Sequence, residues 1–113
     1  MKLSAHSIMS DSVKNPQGEK LGDIKELMID TQSGKVSYAV LDFGGFLGMG
    51  NKLFAVPWSA LKVNTDDHTL MLDTNKEKLK DAEGFDKDDW PNFADRNFEQ
   101  RIHDRYGATP YWN

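Results

Sequence analysis

The stretch from Lys35 to Leu61 reads KVSYAVLDFGGFLGMGNKLFAVPWSAL and carries the main evidence for the fold class. Two apolar runs flank a loop that contains four glycines, and the second run stops at Pro57 and Trp58. β-branched and aromatic residues on both sides of a glycine-rich loop are typical of two paired strands. The stretch therefore predicts a β-hairpin at the centre of a small barrel.

Turn signals lie on the N-terminal side of this hairpin. The segment Asn15-Pro16-Gln17-Gly18 joins a proline, which presets φ, to a glycine, which tolerates positive φ, and it predicts the turn of a first hairpin. The apolar residues after it fit a helix as well as a strand. Gly22 is poor in a short helix, however, and a polar turn cluster from Asp30 to Gly34 leads directly into the β-branched run. We therefore predict a strand from Ile24 to Ile29.

Close turn spacing continues after the central hairpin. Trp58 to Leu61 predicts a short helical turn, and Lys62 to Asn64 meets Thr69 to Leu72 across a polar turn. Five or six short strands at this spacing favour a barrel or a strongly curved sheet over parallel βαβ units, whose crossovers need longer helices. The prediction is a mainly β fold. A small barrel occupies residues 1–74, and a helical, aromatic-rich extension in residues 75–113 packs on the barrel or on a partner.

The extension contains two helical patterns. Asn75 to Ala82 predicts a helical turn, and a longer helix is predicted from Pro91 to Tyr106, with Asp88 and Asp89 as capping acids and Gly107 after its end. Its apolar stripe consists of Ala94, Phe98, Ile102 and Tyr106. The residues expected on the solvated face are Arg96, Glu99, Gln100, Arg101 and Arg105. Large aromatics are unusual at a frayed terminus, so Tyr111 and Trp112 are predicted to pack on the barrel or a partner.

Composition restricts the class of protein. The chain has 113 residues, of which 38% are hydrophobic and 28% charged, which fits one globular domain with a tail. It has no cysteine, which excludes disulfides, thiolate metal sites and cysteine nucleophiles. No apolar run approaches the ~18 residues of a membrane span, and the first residues lack the apolar core of a secretory signal. We expect a soluble, cytoplasmic protein.

The charge of the chain is unevenly distributed. Residues 1–64 carry seven basic against six acidic residues, whereas residues 65–113 carry seven against twelve, a local net charge of −5. A nearly neutral front half and an acidic tail offer no electrostatic footprint for a phosphate backbone. Direct nucleic-acid binding is therefore disfavoured.

The glycine-rich loop invites two interpretations. A phosphate loop needs Gly-Lys-Ser/Thr followed by a helix, whereas here Gly50-Asn51-Lys52-Leu53 leads into a strand. A hairpin loop made permissive by glycine is the better account. Three apolar side chains, Phe46, Leu47 and Met49, lie at the predicted tip and form a candidate contact surface.

Other polar patterns also have structural explanations. Asp86-Lys87-Asp88-Asp89 opens like a calcium loop, but Trp90-Pro91 follows and no correctly spaced glutamate closes it, so helix capping is favoured. The three histidines lack a paired metal-binding spacing. We predict no metal site and no cofactor.

Catalytic patterns are equally weak. Asp30 and Asp42 resemble paired carboxylates, yet each adjoins a turn in which aspartate favours local hydrogen bonds. Ser59 lacks the glycines of a nucleophile elbow. We predict no catalytic residue and therefore no enzyme.

Several short segments together resemble the PRC-barrel family. They are Gly18-Glu19-Lys20-Leu21-Gly22-Asp23-Ile24, Asp30, Gly34-Lys35-Val36, Tyr38-Ala39-Val40-Leu41, the glycine loop and Ala55-Val56-Pro57-Trp58, within residues 5 to 73. The family includes the cytoplasmic barrel of the photosynthetic reaction-centre H subunit, the C-terminal domain of a ribosome-maturation factor, and small stand-alone bacterial and archaeal proteins. The sequence is most similar to the last group, since it shows neither a membrane helix nor an N-terminal RNA-associated domain.

The functional expectation is a non-enzymatic interaction module that binds itself or another protein. We predict a homodimer, because an apolar tip or aromatic tail buried across a two-fold axis accounts for its composition. The candidate interface residues are Phe46, Leu47, Met49, Tyr111 and Trp112. The alternatives are an accessory factor linked to ribosome maturation or RNA processing, which would co-sediment with ribosomal particles, and a barrel that binds a small ligand.

Overall fold

The computed structural model describes residues 3–43, 52–64 and 66–112, and within these ranges the chain is mainly β. The elements in chain order are α1 (Ala5–Met9), β1 (Ser12–Lys14), β2 (Lys20–Asp30), β3 (Lys35–Phe43), β4 (Lys52–Pro57), a 3₁₀ turn (Trp58–Ala60), β5 (Leu61–Asn64), β6 (Thr69–Leu72), α2 (Lys76–Lys80) and α3 (Arg96–Tyr106). The predicted strand from Ile24 to Ile29 lies inside β2, which is longer at both ends.

The six strands form one curled, half-barrel sheet in the order β4-β3-β2-β1-β6-β5. Neighbouring strands are antiparallel except β1 and β6, which pair in parallel with Val13 opposite Leu70. In the central hairpin, β3 and β4 pair from Tyr38 opposite Pro57 to Phe43 opposite Lys52. The predicted fold class, a mainly β barrel-like sheet with a C-terminal helix, is confirmed.

Glycine allows the turns and one close approach within the sheet. Gly18 and Gly34 have φ of 84° and 77°, at the two turns that the sequence predicts. Gly22 has a different role, because a Cβ atom there would lie 2.2 Å from the backbone oxygen of Asp42 on the neighbouring strand. This glycine therefore lets β2 pack closely against β3.

The inner face of the sheet carries the main core. Leu41 and Phe54 pair across β3 and β4 on this face, and Leu70 lies on β6 in the same cluster. Ile8 of α1 and Leu79 of α2 pack against it from outside the sheet. Each large apolar side chain buried in this way contributes ~1.5–3 kcal/mol.

The outer face of the central hairpin is covered as well. Tyr38 and Ala55 form a second cluster with Phe98 and Ile102 of α3. Because both faces are buried, β3 reads as a continuous apolar run rather than an alternating one.

The start of the C-terminal helix differs from the prediction. α3 begins at Arg96, and the Asp95 side chain caps it by accepting a hydrogen bond from the backbone of Asn97 at 2.9 Å. The predicted start at Pro91 with Asp88 and Asp89 as caps is therefore wrong. The predicted end is confirmed, since Gly107 adopts the left-handed conformation, with φ of 62°.

The segment between α2 and α3 makes contacts of its own. Phe85 forms an isolated bridge with Leu53, with backbone N–H···O bonds of 2.8 and 2.9 Å, which adds a short contact at the edge of β4. The side chain of Asn92 accepts a hydrogen bond from the backbone of Ala94, a turn that competes with helix formation. Ala94 consequently lies before the helix and is exposed, which corrects its place on the predicted stripe.

Candidate functional site

A buried carboxylate lies between α3 and the outer face of the hairpin. Glu99 is in the first turn of α3, and its side chain is only 2% exposed. Its carboxylate accepts hydrogen bonds from the hydroxyls of Tyr38, at 3.2 Å, and of Tyr111. The guanidinium of Arg96, one turn earlier, lies 3.5 Å from the second oxygen. One charged partner and two hydroxyl donors thus compensate the cost of burying the negative charge.

Three separate parts of the chain position this carboxylate. Tyr38 lies opposite Pro57 on the outer face of β3. Phe98 and Ile102 hold α3 against that face, and Tyr111 follows the left-handed turn at Gly107. We refer to Tyr38, Arg96, Glu99, His103, Tyr111 and Trp112 as the clamp.

His103 joins the aromatic side chains of the clamp. Its Nδ1 lies 2.8 Å from the backbone oxygen of Glu99, and since a carbonyl only accepts, Nδ1 carries the proton and donates it. The imidazole packs edge-on to Tyr38 and Trp112, with ring centroids 5.4 and 4.9 Å away. Arg96 completes the cluster by placing its guanidinium carbon 3.8 Å from the centroid of Trp112.

Burial keeps the tyrosines of the clamp protonated. Desolvation, followed by the neighbouring charge of Glu99, raises the pKa of Tyr38 well above its usual range. Desolvation, followed by the hydrogen bond to Glu99, raises the pKa of Tyr111 to about 12. Both hydroxyls therefore donate hydrogen bonds to the carboxylate at neutral pH, and the clamp ties the C-terminal residues to the barrel.

A groove of about 330 Å³ adjoins the clamp. Val36, Trp58, His103 and Tyr111 give it a largely apolar lining. Thr109 forms part of its wall, and its backbone oxygen accepts a hydrogen bond from the Ser59 hydroxyl at 3.3 Å. We call this space the tail groove because the C-terminal residues form one side of it.

A second groove of about 350 Å³ lies between α2 and the end of α3, and we call it the helix groove. Leu79 and Ala82 are its buried apolar residues. Lys78 and Arg105 line it from the exposed side, and the Arg105 guanidinium donates to the backbone oxygen of Lys78 at 2.8 Å. Tyr106 also lines it. Within the described ranges, the hydroxyl of Tyr106 is buried and has no hydrogen-bond partner.

Comparison with known families identifies the barrel. The family model of the PRC-barrel domain matches residues 2–79, which is more than half of the chain. The chain belongs to the PRC-barrel domain family. A comparison with curated proteins finds no significant match. None of the helices in residues 3–43, 52–64 and 66–112 is long and apolar enough to cross a membrane.

The clamp joins the PRC barrel to residues beyond the family match. Tyr38 belongs to the matched part, whereas Glu99, His103 and Tyr111 follow it. The helix groove likewise combines Thr74 and Lys78 of the matched part with Arg105 of α3. Both sites therefore depend on how the C-terminal extension packs on the PRC barrel.

The predicted interface residues fall into two groups. Phe46, Leu47 and Met49 lie outside the described residues. Tyr111 and Trp112 are half-buried in the clamp, where they contact α3 of the same chain. Their role in an interface stays a prediction.

The structure shows how the weak polar patterns of the sequence are arranged. The Asp30 carboxylate accepts from the backbone of Gln32 and the hydroxyl of Ser33, as expected of a turn residue. It lies at the opposite end of the β2–β3 pairing from Asp42, so the structure does not bring the two aspartates together. Across the ranges that the structure describes, His, Asp and Glu side chains form no group of three or more suited to a metal ion.

The sequence predicts only some residues of the clamp. The helical pattern predicts Glu99 on the solvated face, and this prediction is wrong because Glu99 is only 2% exposed and accepts a hydrogen bond from Tyr38. Glu99 and His103 each follow a residue of the apolar stripe, Phe98 and Ile102. A buried helix face about 100° wide includes such neighbours, so the i, i+4 pair beside the stripe was the available signal.

Proposed function

We propose that this PRC barrel is a non-enzymatic protein-interaction module that associates with a second copy of itself. The observation that carries the proposal is the open edge of the sheet at β5. Within the described residues, β5 pairs with β6 on one side and with no strand on the other. Unpaired backbone groups along an edge strand are a template for pairing with another chain.

The side chains of β5 suit such pairing. Leu61 and Val63 are half-buried against the core, while Lys62 and Asn64 are exposed. A second β5 in the antiparallel direction would continue the sheet with its apolar residues on the core side. Two-fold symmetry is the usual way in which one surface pairs with its own copy. The apolar residues Phe46, Leu47 and Met49 of the glycine-rich loop are a second candidate surface.

The chemistry of the clamp supports a non-enzymatic role. The hydroxyls of Tyr38 and Tyr111 are engaged by Glu99, and their pKa values are raised. General acid–base groups instead work best with a pKa near the operating pH. We also propose a cytoplasmic location, which the absence of cysteine permits and which cell fractionation tests.

Light scattering coupled to size-exclusion chromatography tests self-association. We expect about twice the monomer mass of 12.8 kDa at micromolar concentration. Hydrogen exchange then identifies the surface, since amides of residues 61–64 should become more protected as concentration rises. A mass that stays at one chain up to millimolar concentration would remove the proposal.

Two matched variants separate the edge from the loop. Phe46→Asp should weaken association without changing the melting temperature if the loop is part of the interface. Leu3→Asp is the control, because Leu3 is 43% exposed and belongs to neither surface. If Phe46→Asp leaves the dimer intact while β5 remains protected, the interface is the sheet edge alone.

A further inference from the structure

The segment between α2 and α3 carries a solvent-accessible aromatic surface. Trp90 is 37% exposed, although large aromatic side chains are usually covered. Its ring centroid lies 5.2 Å from that of Phe85 and 6.4 Å from that of Phe93, and both phenylalanines are only half-buried. We call these three residues the aromatic patch. Each of them keeps accessible area that is free to contact a partner.

Contacts within the chain hold the aromatic patch in one arrangement. Phe85 exchanges two backbone hydrogen bonds with Leu53 of β4, and Phe93 packs against the cluster on the outer face of the hairpin. The indole N–H of Trp90 donates to the backbone oxygen of Lys87 at 2.8 Å. This bond satisfies the only polar group of the side chain, so the accessible part of the indole offers a π surface and no free donor. A surface that is fixed in this way loses little entropy when a partner binds.

The charge around the aromatic patch is negative and unpaired. Residues 85–93 contain three acidic side chains, Asp86, Asp88 and Asp89, against one basic side chain, Lys87. All four are exposed, and none of them forms an ion pair with another described residue. Carboxylates that border an accessible aromatic surface attract a cationic partner and repel an anionic one. The charge therefore specifies what the patch is able to bind.

We propose that the aromatic patch docks an arginine-rich segment of another protein, independently of self-association at β5. One guanidinium stacks on the indole of Trp90, and neighbouring arginines of the segment pair with the exposed aspartates. Arginine suits this surface better than lysine, because its planar and weakly hydrated guanidinium stacks on aromatic rings. The chain itself contains the same contact, since the Arg96 guanidinium lies 3.8 Å from the Trp112 ring. A second copy is disfavoured as the occupant by its net charge of −4.

Nuclear magnetic resonance titration of the full chain tests the proposal. The probes are capped peptides of arginine, of lysine and of glutamate, all of the same length. With the arginine peptide we expect saturable shifts at the indole N–H of Trp90 and at the amides of residues 85–93. The lysine peptide should bind about threefold more weakly, and the glutamate peptide should not bind. Absence of saturable shifts with the arginine peptide, equal affinity for either other peptide, or shifts confined to the indoles of Trp58 and Trp112 would overturn the proposal.

An apolar substitution tests the cation–π contact. Trp90→Leu keeps an apolar side chain but removes the π surface, so it should weaken the arginine peptide about two- to fivefold and remove its preference over the lysine peptide. Ile29→Ala is the matched control, because Ile29 is 54% exposed and lies on β2 away from the aspartates. The control should bind like the parent chain. If Trp90→Leu retains the preference for arginine, the stacking contact is refuted.

Charge substitutions test the docking without disturbing the aromatic rings. Asp88→Asn should weaken binding about twofold, whereas Lys87→Gln should strengthen it by a similar factor because it removes a competing cation. The backbone oxygen of Lys87 that holds the indole is retained in that variant. Glu26→Gln, the same loss of charge at an exposed site on β2, should leave the affinity unchanged. A merely structural role for Trp90 predicts no change in any of the three, and that result would contradict the proposal.

Discussion

The two faces of the β3–β4 hairpin are buried by different means. On the inner face, side chains such as Leu41 and Phe54 meet other apolar side chains, and burial alone stabilises the contact. On the outer face, Tyr38 meets a carboxylate and an imidazole as well as apolar rings. The inner face needs only the correct shape, whereas the outer face also needs every polar group to find its partner.

Removal of the whole outer layer should have the largest effect. Truncation after Glu83 deletes α3 and every clamp residue except Tyr38, but it retains Leu79 and Ala82 of the inner core. Exposure of Tyr38 and Ala55 and the loss of Phe98 and Ile102 should cost more than about 5 kcal/mol, a large share of a stability of ~5–15 kcal/mol. Thermal unfolding monitored by circular dichroism measures this loss of stability. An unchanged melting temperature would show that the inner face is sufficient.

Single core truncations compare the two faces directly. Phe54→Ala on the inner face should cost about 3–5 kcal/mol, because Phe54 is fully buried and the cavity cannot collapse. Phe98→Ala on the outer face should fall near the lower end of that range, since Phe98 is slightly exposed on a surface helix. Urea unfolding gives both values. A larger loss of stability for Phe98→Ala than for Phe54→Ala would contradict the expected order of the two faces.

Loss of the buried carboxylate tests the polar part of the outer face. Glu99→Ala leaves the hydroxyls of Tyr38 and Tyr111 without an acceptor and should cost about 3 kcal/mol. Glu99→Gln keeps one amide oxygen as an acceptor and should lose about half as much. If both variants are as stable as the parent chain, the hydrogen bonds to Glu99 do not contribute to stability and the aromatic contacts alone hold the clamp together.

Ionisation of the tyrosines gives a pH test. The chain has three tyrosines, and burial raises the pKa of each above its unfolded value of ~10. A raised tyrosine pKa favours the neutral form in the folded state, so this stabilisation is fully present below pH ~10 and is lost as pH rises through about 12. Tyrosinate absorbance should stay low through pH ~10 in the folded chain and rise when it unfolds. If all three tyrosines ionise near pH ~10 while the chain is still folded, their hydroxyls are not buried.

The smallest effect is expected at the exposed edge of the clamp. Arg96→Gln removes a guanidinium that is 56% exposed, together with its contact to the Trp112 ring. Exposed cation–π and ionic contacts contribute about 0.5–1 kcal/mol each, and salt reduces the ionic part. The stability difference from the parent should therefore shrink in high salt. If Arg96→Gln lowers the free energy of unfolding more than Glu99→Ala does, the guanidinium and not the carboxylate is the centre of the clamp.

The sequence predicted those parts of the fold that depend on neighbours along the chain. Strand β2, the turns at Gly18 and Gly34 and the end of α3 at Gly107 follow from local apolar patterns and from glycine conformation. The start of α3 was predicted wrongly although its signals are local, because Asn92 and Asp95 accept hydrogen bonds from backbone groups two residues ahead, and acidic residues at 88 and 89 offered the same chemistry earlier in the chain.

The candidate sites could be predicted from the sequence only in small part. The acceptor of the Tyr38 hydroxyl is 61 residues away along the chain, and periodicity holds no information about such a partner. The helix groove requires β6, α2 and α3 to be placed together before Thr74, Lys78 and Arg105 share a surface. The sequence therefore indicated that the extension carries an apolar stripe, but not which polar groups lie beside it.

The parallel pairing of β1 with β6 has a consequence for the order of folding. β2, β3 and β4 pair with their neighbours along the chain, whereas Val13 and Leu70 must meet across more than half of the sequence. Closing so long a loop has a high entropic cost before its contacts stabilise it, so we expect β1–β6 pairing to form after the rate-limiting step. Val13→Ala should then accelerate unfolding and leave the folding rate nearly unchanged, whereas Leu41→Ala should slow folding. Because β1 already pairs with β2 across the turn at Gly18, the β5–β6 hairpin would in that case be the last piece to join the sheet and the first to leave it.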